Sequence, residues 1–146
     1  MNFLDSLAIS STGLSAQRLR MNLISSNLAN VNTTRTETGE PYKRKDVVFQ
    51  AGQPSEFRTI LDAELGDEGH GVTVAGIVED NKPFIEKYDP GHPDADENGY
   101  IRLPNVNVVE EMVNMISASR SFEANATAVR TTKDMAATAL DIGRNS

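Results

Sequence analysis

The residues that look most like chemistry are Asp94-Ala95-Asp96-Glu97-Asn98-Gly99-Tyr100-Ile101. They match D-x-[DN]-x-[DN]-G, the first half of a calcium loop, with an apolar residue at the eighth loop position. A calcium ion would need a bidentate Glu at the twelfth position, and that position is Asn105. Pro90 and Pro93 stand where the entering helix should be, and Pro104 interrupts the exit. The segment therefore reads as an acidic turn before a strand, with Gly99 supplying a positive φ.

The other reactive side chains are scattered. His70 lies between two glycines and His92 between Gly91 and Pro93, both as exposed loop residues, and no G-x-S-x-G elbow accompanies them. Ser6, Ser10, Ser11 and Ser15 read as a helix face that packs closely rather than as nucleophiles. Lys43-Arg44-Lys45 reads as a solvated strand edge, where Lys discourages unwanted pairing. With no Cys, there is no thiolate nucleophile, disulfide or Cys-based metal site, and two His are too few for a His-rich one. No enzymatic activity and no cofactor are expected.

Composition narrows the classes further. Of 146 residues, 38% are apolar and 5% aromatic, with no Trp, so a large compact core is not expected. A net charge of −7 argues against sequence-independent nucleic-acid binding, which needs excess Lys and Arg at phosphates. No apolar run approaches the roughly 18 residues of a membrane span. Asp5 sits where a secretory signal would carry basic residues, so export by such a cleaved signal is not expected.

The elements follow from where the chain can be helical. All six prolines and eight of the ten glycines lie between residues 39 and 104, and both types are costly inside helices. The two ends are breaker-poor and the middle is breaker-rich. Residues 35–104 hold eight Lys/Arg and fifteen Asp/Glu, the whole of the net −7, while the ends together are neutral. Neutral ends can meet many copies of themselves without strong repulsion, and an acidic middle suits a solvated exterior.

At the N-terminal end, Leu7, Leu14, Met21 and Leu28 recur every seven residues, with Phe3, Ile24 and Val31 beside them. This predicts a helix over about 3–31, capped by Asn2. At the C-terminal end, Val109, Met112, Ile116, Ser119, Phe122, Ala126, Val129, Ala136 and Leu140 recur at spacings of mostly three and four. This predicts a helix over 107–142, opened by an Asn107–Glu110 capping box and stopped near Gly143. Helices of roughly 42 and 54 Å cannot hide in a globule this small, so they are expected to pair as an antiparallel coiled coil. Leu4, Ile9, Leu19, Leu23, Val108, Val113 and Met115 lie off those seams and leave apolar surface for additional partners. The middle predicts short strands at 46–49, 71–78, 84–88 and 100–103, with a loop over 50–70. The fold class is α+β: helical ends over 1–34 and 105–146 around a small β-rich domain at 35–104.

Ser25-Ser26-Asn27-Leu28-Ala29-Asn30-Val31-Asn32-Thr33 resembles the run that ends the N-terminal helix of bacterial flagellar rod and hook axial proteins. Pro104-Asn105-Val106-Asn107-Val108-Val109-Glu110-Glu111-Met112-Val113 and Ala118-Ser119-Arg120-Ser121-Phe122-Glu123-Ala124-Asn125 resemble the matching C-terminal motif. Pro41-Tyr42-Lys43-Arg44-Lys45, the 88–95 segment and the 99–106 segment are similar to the proximal-rod branch of that family.

The resemblance implies a structural subunit of the proximal rod, the tubular shaft that crosses the periplasm and transmits torque. It implies the helical ends inside the tube and the middle outside. Type III export without cleavage is implied too, as are neighbours among the other rod proteins, including the distal rod, and the rod-base adaptor FliE. The alternatives are a non-flagellar coiled-coil module that closes as a dimer and, behind it, a calcium-binding protein.

Overall fold

A computed structural model of the chain describes residues 3–52 and 70–144. Its elements are helix α1 (Phe3–Ala29), strands β1 (Lys45–Ala51), β2 (Val72–Glu79), β3 (Ile85–Tyr88) and β4 (Tyr100–Leu103), and helix α2 (Val108–Arg144). The α+β class and every expected element are present. The Asn2 cap lies outside the described residues, as does most of the 50–70 loop. β1 runs on through Ala51. Gly143 does not end α2, which continues to Arg144. No helix is long and apolar enough to cross a membrane among the described residues.

The chain divides into two compact units. One holds Arg20–Val48 and Gly76–Ser117. Its buried apolar residues are Ile24, Ile101 and Val106, with Pro41 and Pro104 also buried. α1 ends here because Asn30 turns back on the last turn: its backbone N–H and its side-chain amide both donate to the Ser26 carbonyl, at 3.1 and 2.8 Å. The backbone bond is the last one of helical spacing, and the side chain brings a second donor to the same carbonyl. α2 starts where Asn107 Oδ1 accepts from the Val109 and Glu110 N–H groups at 3.0 and 3.3 Å, as expected of a cap.

β3 and β4 pair antiparallel, with Ile85 opposite Leu103, Glu86 opposite Arg102 and Tyr88 opposite Tyr100. The two tyrosine rings meet edge to face, with centroids 5.3 Å apart. The acidic turn before β4 is as expected. Gly99 has φ +82°, and Asp96 Oδ1 accepts from the Asn98 and Tyr100 N–H groups at 2.9 and 2.8 Å.

The other unit holds Met1–Leu19, Phe49–Ala75 and Ala118–Ser146. Among the described residues its buried apolar side chains are two alanines, Ala16 and Ala118. Side chains pack directly against the chain at two glycines. A Cβ on Gly13 would stand 2.9 Å from Asn125 Nδ2, and one on Gly71 2.5 Å from Thr12 Oγ1. Thr12 Oγ1 accepts from the Val72 N–H at 3.0 Å and so ties the start of β2 to α1. Ser6 and Ser10 are half-buried. Ser11 and Ser15 are exposed, which corrects the expectation of close packing for them, and Ser15 Oγ turns back to the Ser11 carbonyl at 3.1 Å. β1 and β2 form a second two-stranded sheet.

Candidate functional site

The most demanding site in the first unit is built from the two sequence motifs. Asn27, on the last full turn of α1, and Glu111, on the first turn of α2, are both fully buried. A buried amide or carboxylate is costly unless every polar atom is used, and here the atoms are used. Asn27 Nδ2 donates to Glu111 Oε2 at 3.0 Å and to the Lys45 carbonyl at 2.8 Å. Asn27 Oδ1 accepts from the Lys45 N–H and from the Tyr42 hydroxyl, both at 2.9 Å. The side-chain amide thus pairs with both backbone groups of the first residue of β1, as a neighbouring strand's peptide would.

The second Glu111 oxygen, Oε1, accepts from Arg44 Nε at 2.8 Å. Arg44 Nη1 meets Asp46 Oδ2 at 3.1 Å. Burial alone would lower the Arg44 pKa; its bonds to Glu111 and Asp46 outweigh that and hold the guanidinium above its ordinary value. Its backbone is bound as well. Its N–H donates to Asn105 Oδ1 at 3.0 Å, and its carbonyl accepts from the Asp80 N–H at 2.8 Å. Asn105 Nδ2 then donates to the Asp80 carbonyl at 3.0 Å. One arginine fastens β1, β2 and α2, and Asn27 adds α1.

This corrects the reading of Lys43-Arg44-Lys45 as a solvated edge. The Arg44 side chain is only 14% exposed. Lys43 is half-buried and pairs with the exposed Glu40 at 3.0 Å, which raises the Lys43 pKa, and Lys45 reaches Glu79 at 3.8 Å. Sequence reasoning missed Arg44, Tyr42 and Asn105. The available signal was that Tyr42 and Arg44 fall within one family-like segment and Asn105 within another.

The remaining motif residues divide. Ser26 Oγ lies 3.4 Å from the Tyr42 hydroxyl, and Asn30 and Asn107 close the helix ends. Ala29, Glu110 and Met112 are exposed, and Leu28 is half-buried. Of the seam residues, Ile24 is buried, and Leu7, Leu14, Met21, Phe122 and Val129 are half-buried. Val109, Met112, Ile116 and Leu140 are not covered within the chain; Val109 is 70% and Leu140 75% exposed. At 3.6 residues per turn, Val109 and Ile116 lie nearly a half-turn away from Glu111 and Met112 more than a quarter-turn. Turning Glu111 inward turns them out.

The site has no catalytic arrangement. Its carboxylate and guanidinium are spent on each other and on the amide, leaving no free nucleophile or base. The calcium-like segment is spent in the same way: Asp96 serves its own turn, and Asp94 Oδ2 accepts from Thr34 Oγ1 at 2.7 Å. Among the described residues no three His, Asp or Glu side chains gather as a metal site.

What the network does is fix two chain ends and a strand to one another, and both ends match models of one class of protein. Residues 7–35 match the flagella basal body rod protein family, and residues 97–142 match the C-terminal family of the flagellar basal body rod FlgEFG proteins. Similar proteins extend the likeness over the whole chain. A Borreliella burgdorferi protein is 47% identical, covering 97% of this chain and 98% of its own. One from Bacillus subtilis is 46% identical, covering 99% and 100%, and one from Salmonella typhimurium is 42% identical over the same shares. All three bear the name flagellar basal-body rod protein FlgC. The chain belongs to the FlgC family of flagellar basal-body rod proteins.

Proposed function

We propose that the protein works by assembly, with the outer face of α2 and the half-buried seam of α1 as its contact surfaces. The protein is a structural subunit of the flagellar basal-body rod and not an enzyme. In the assembled rod the ends over 1–34 and 105–146 pair as an antiparallel coiled coil inside the tube, and the acidic 35–104 portion lies outside. Its place is the proximal rod, in the periplasm. Its neighbours are copies of itself, the other rod proteins and FliE, and it arrives through the type III apparatus without signal cleavage.

The observation that carries this reading is the apolar surface opposite Glu111. Val109, Met112, Val113 and Ile116 are all more than half exposed. Covering such a side chain stabilises by about 1.5–3 kcal/mol, and exposed apolar patches mark protein–protein contacts. Isolated basal bodies carrying an epitope-tagged chain test the proposal by electron cryo-microscopy. Density for the chain in the shaft, with α2 packed against a neighbour at Met112, is expected. A tagged chain absent from the shaft, or present with that face in solvent, would overturn it.

A further inference from the structure

We infer that a cleft on the Arg20–Val48 and Gly76–Ser117 unit receives a carboxylate side chain from an adjoining rod subunit. The cleft measures about 210 Å³, and its walls include Arg35, Gly39, Pro41, Asp94 and Arg102. Thr36 and Gly39 fix one wall. The Thr36 N–H donates to the Glu40 carbonyl and the Gly39 N–H to the Thr36 carbonyl, both at 2.9 Å. Gly39 has φ +82° and open space where a side chain would stand. β4 supplies the other wall with Arg102.

Arg35 and Arg102 are the two cations that line the cleft; among the described residues, Lys87 and Arg20 of this unit are also without a side-chain partner. Acids outnumber bases by fifteen to eight over residues 35–104. Other cations of this unit find them: Lys43 with Glu40, Arg44 with Glu111 and Asp46, Lys45 with Glu79, and Lys82 with Asp80. Among the described residues the Arg35 and Arg102 guanidiniums make no hydrogen bond or ion pair, although Arg102 stands opposite Glu86 in the strand register. The one carboxylate in the cleft, Asp94, is held by Thr34 and lies 3.9 Å from His92. Two unspent guanidiniums on the walls of one cleft favour a carboxylate, which each can grip with two parallel bonds. A side chain suits a recess of this size.

The proposal rests on the rod reading, so its test uses isolated basal bodies. Arg35→Glu/Arg102→Glu is expected to keep the wild-type unfolding midpoint and lower recovery of the chain in basal bodies by about tenfold. Recovery equal to wild type would overturn the proposal. A second measurement uses Arg35→Lys/Arg102→Lys, which keeps the charge and adds amines that a carbodiimide joins directly to touching carboxylates. The native Lys43–Glu40 pair at 3.0 Å is the internal control. A crosslinked peptide joining position 35 or 102 to an Asp or Glu of another polypeptide is expected. The control crosslink alone, or links only to Glu86 or Asp94 of the same chain, overturns the cleft and leaves the rod reading standing. Absence of the wild-type chain from basal bodies overturns both.

Discussion

Asn27 and Glu111 stand 84 positions apart in sequence and share a 3.0 Å hydrogen bond in which neither side chain touches solvent. Glu111→Ala leaves Asn27 Nδ2 one acceptor short and Arg44 without its buried anion. The expected loss is about 3–5 kcal/mol, nearer the lower figure because Asp46 remains beside Arg44. Asn27→Asp should be worse than Asn27→Ala, since it sets a second carboxylate against Glu111. Chemical denaturation of the purified variants measures both; a loss below about 1 kcal/mol for Glu111→Ala would show that the pair does not hold the fold.

Gly71 and Thr12 form a coupled pair. A Cβ at position 71 meets the Thr12 hydroxyl, and the branched Thr side chain has few rotamers to escape to. Gly71→Ala alone should destabilise the protein. In a Thr12→Ala background the hydroxyl and methyl are gone and only the Cβ, at 3.3 Å, remains close, so the same change should cost less by about 1 kcal/mol in a double-mutant cycle. Additive costs would mean that the approach is looser than described.

Gly39 and Gly99 separate backbone strain from crowding. Both have φ +82°. An added methyl at Gly39 meets nothing within 4 Å, whereas at Gly99 it stands 2.9 Å from a Tyr88 ring carbon and 3.1 Å from Pro90 Cβ. Gly39→Ala should cost about 1–2 kcal/mol, the left-handed penalty alone. Gly99→Ala should cost clearly more, read as a larger drop in unfolding midpoint. Equal costs would refute the crowding at Gly99.

Met112→Asp distinguishes assembly from folding. Met112 is 56% exposed, so the purified variant should unfold within about 0.5 kcal/mol of wild type. It should nevertheless fail to enter basal bodies. Normal incorporation would remove this face from the assembly surface.

Local chemistry made much of this legible. Breaker distribution located both helices, alternating apolar residues located the strands, and Asn107 and Gly99 announced a cap and a turn. The sequence was less clear about which side of α2 turns inward. Apolar periodicity picks out Val109, Met112 and Ile116, but the chain buries Glu111 and Ala118 and leaves those three outside. A helix that serves its own fold and a neighbour carries two stripes, and periodicity ranks them by hydrophobicity alone. Arg44 was hidden for a related reason: a basic triplet reads as solvated unless its acid, 67 positions further on, is known to be near.

The directionality of the bonds at Asn27 and Glu111 has a mechanical consequence. Apolar faces slide past one another at small cost, whereas a hydrogen bond weakens steeply once its angle falls below about 120°. A twisting load on the end of α1 is therefore handed to α2 and to the first residue of β1 by contacts that resist shear. The joint stiffens where a member of a turning shaft would otherwise creep.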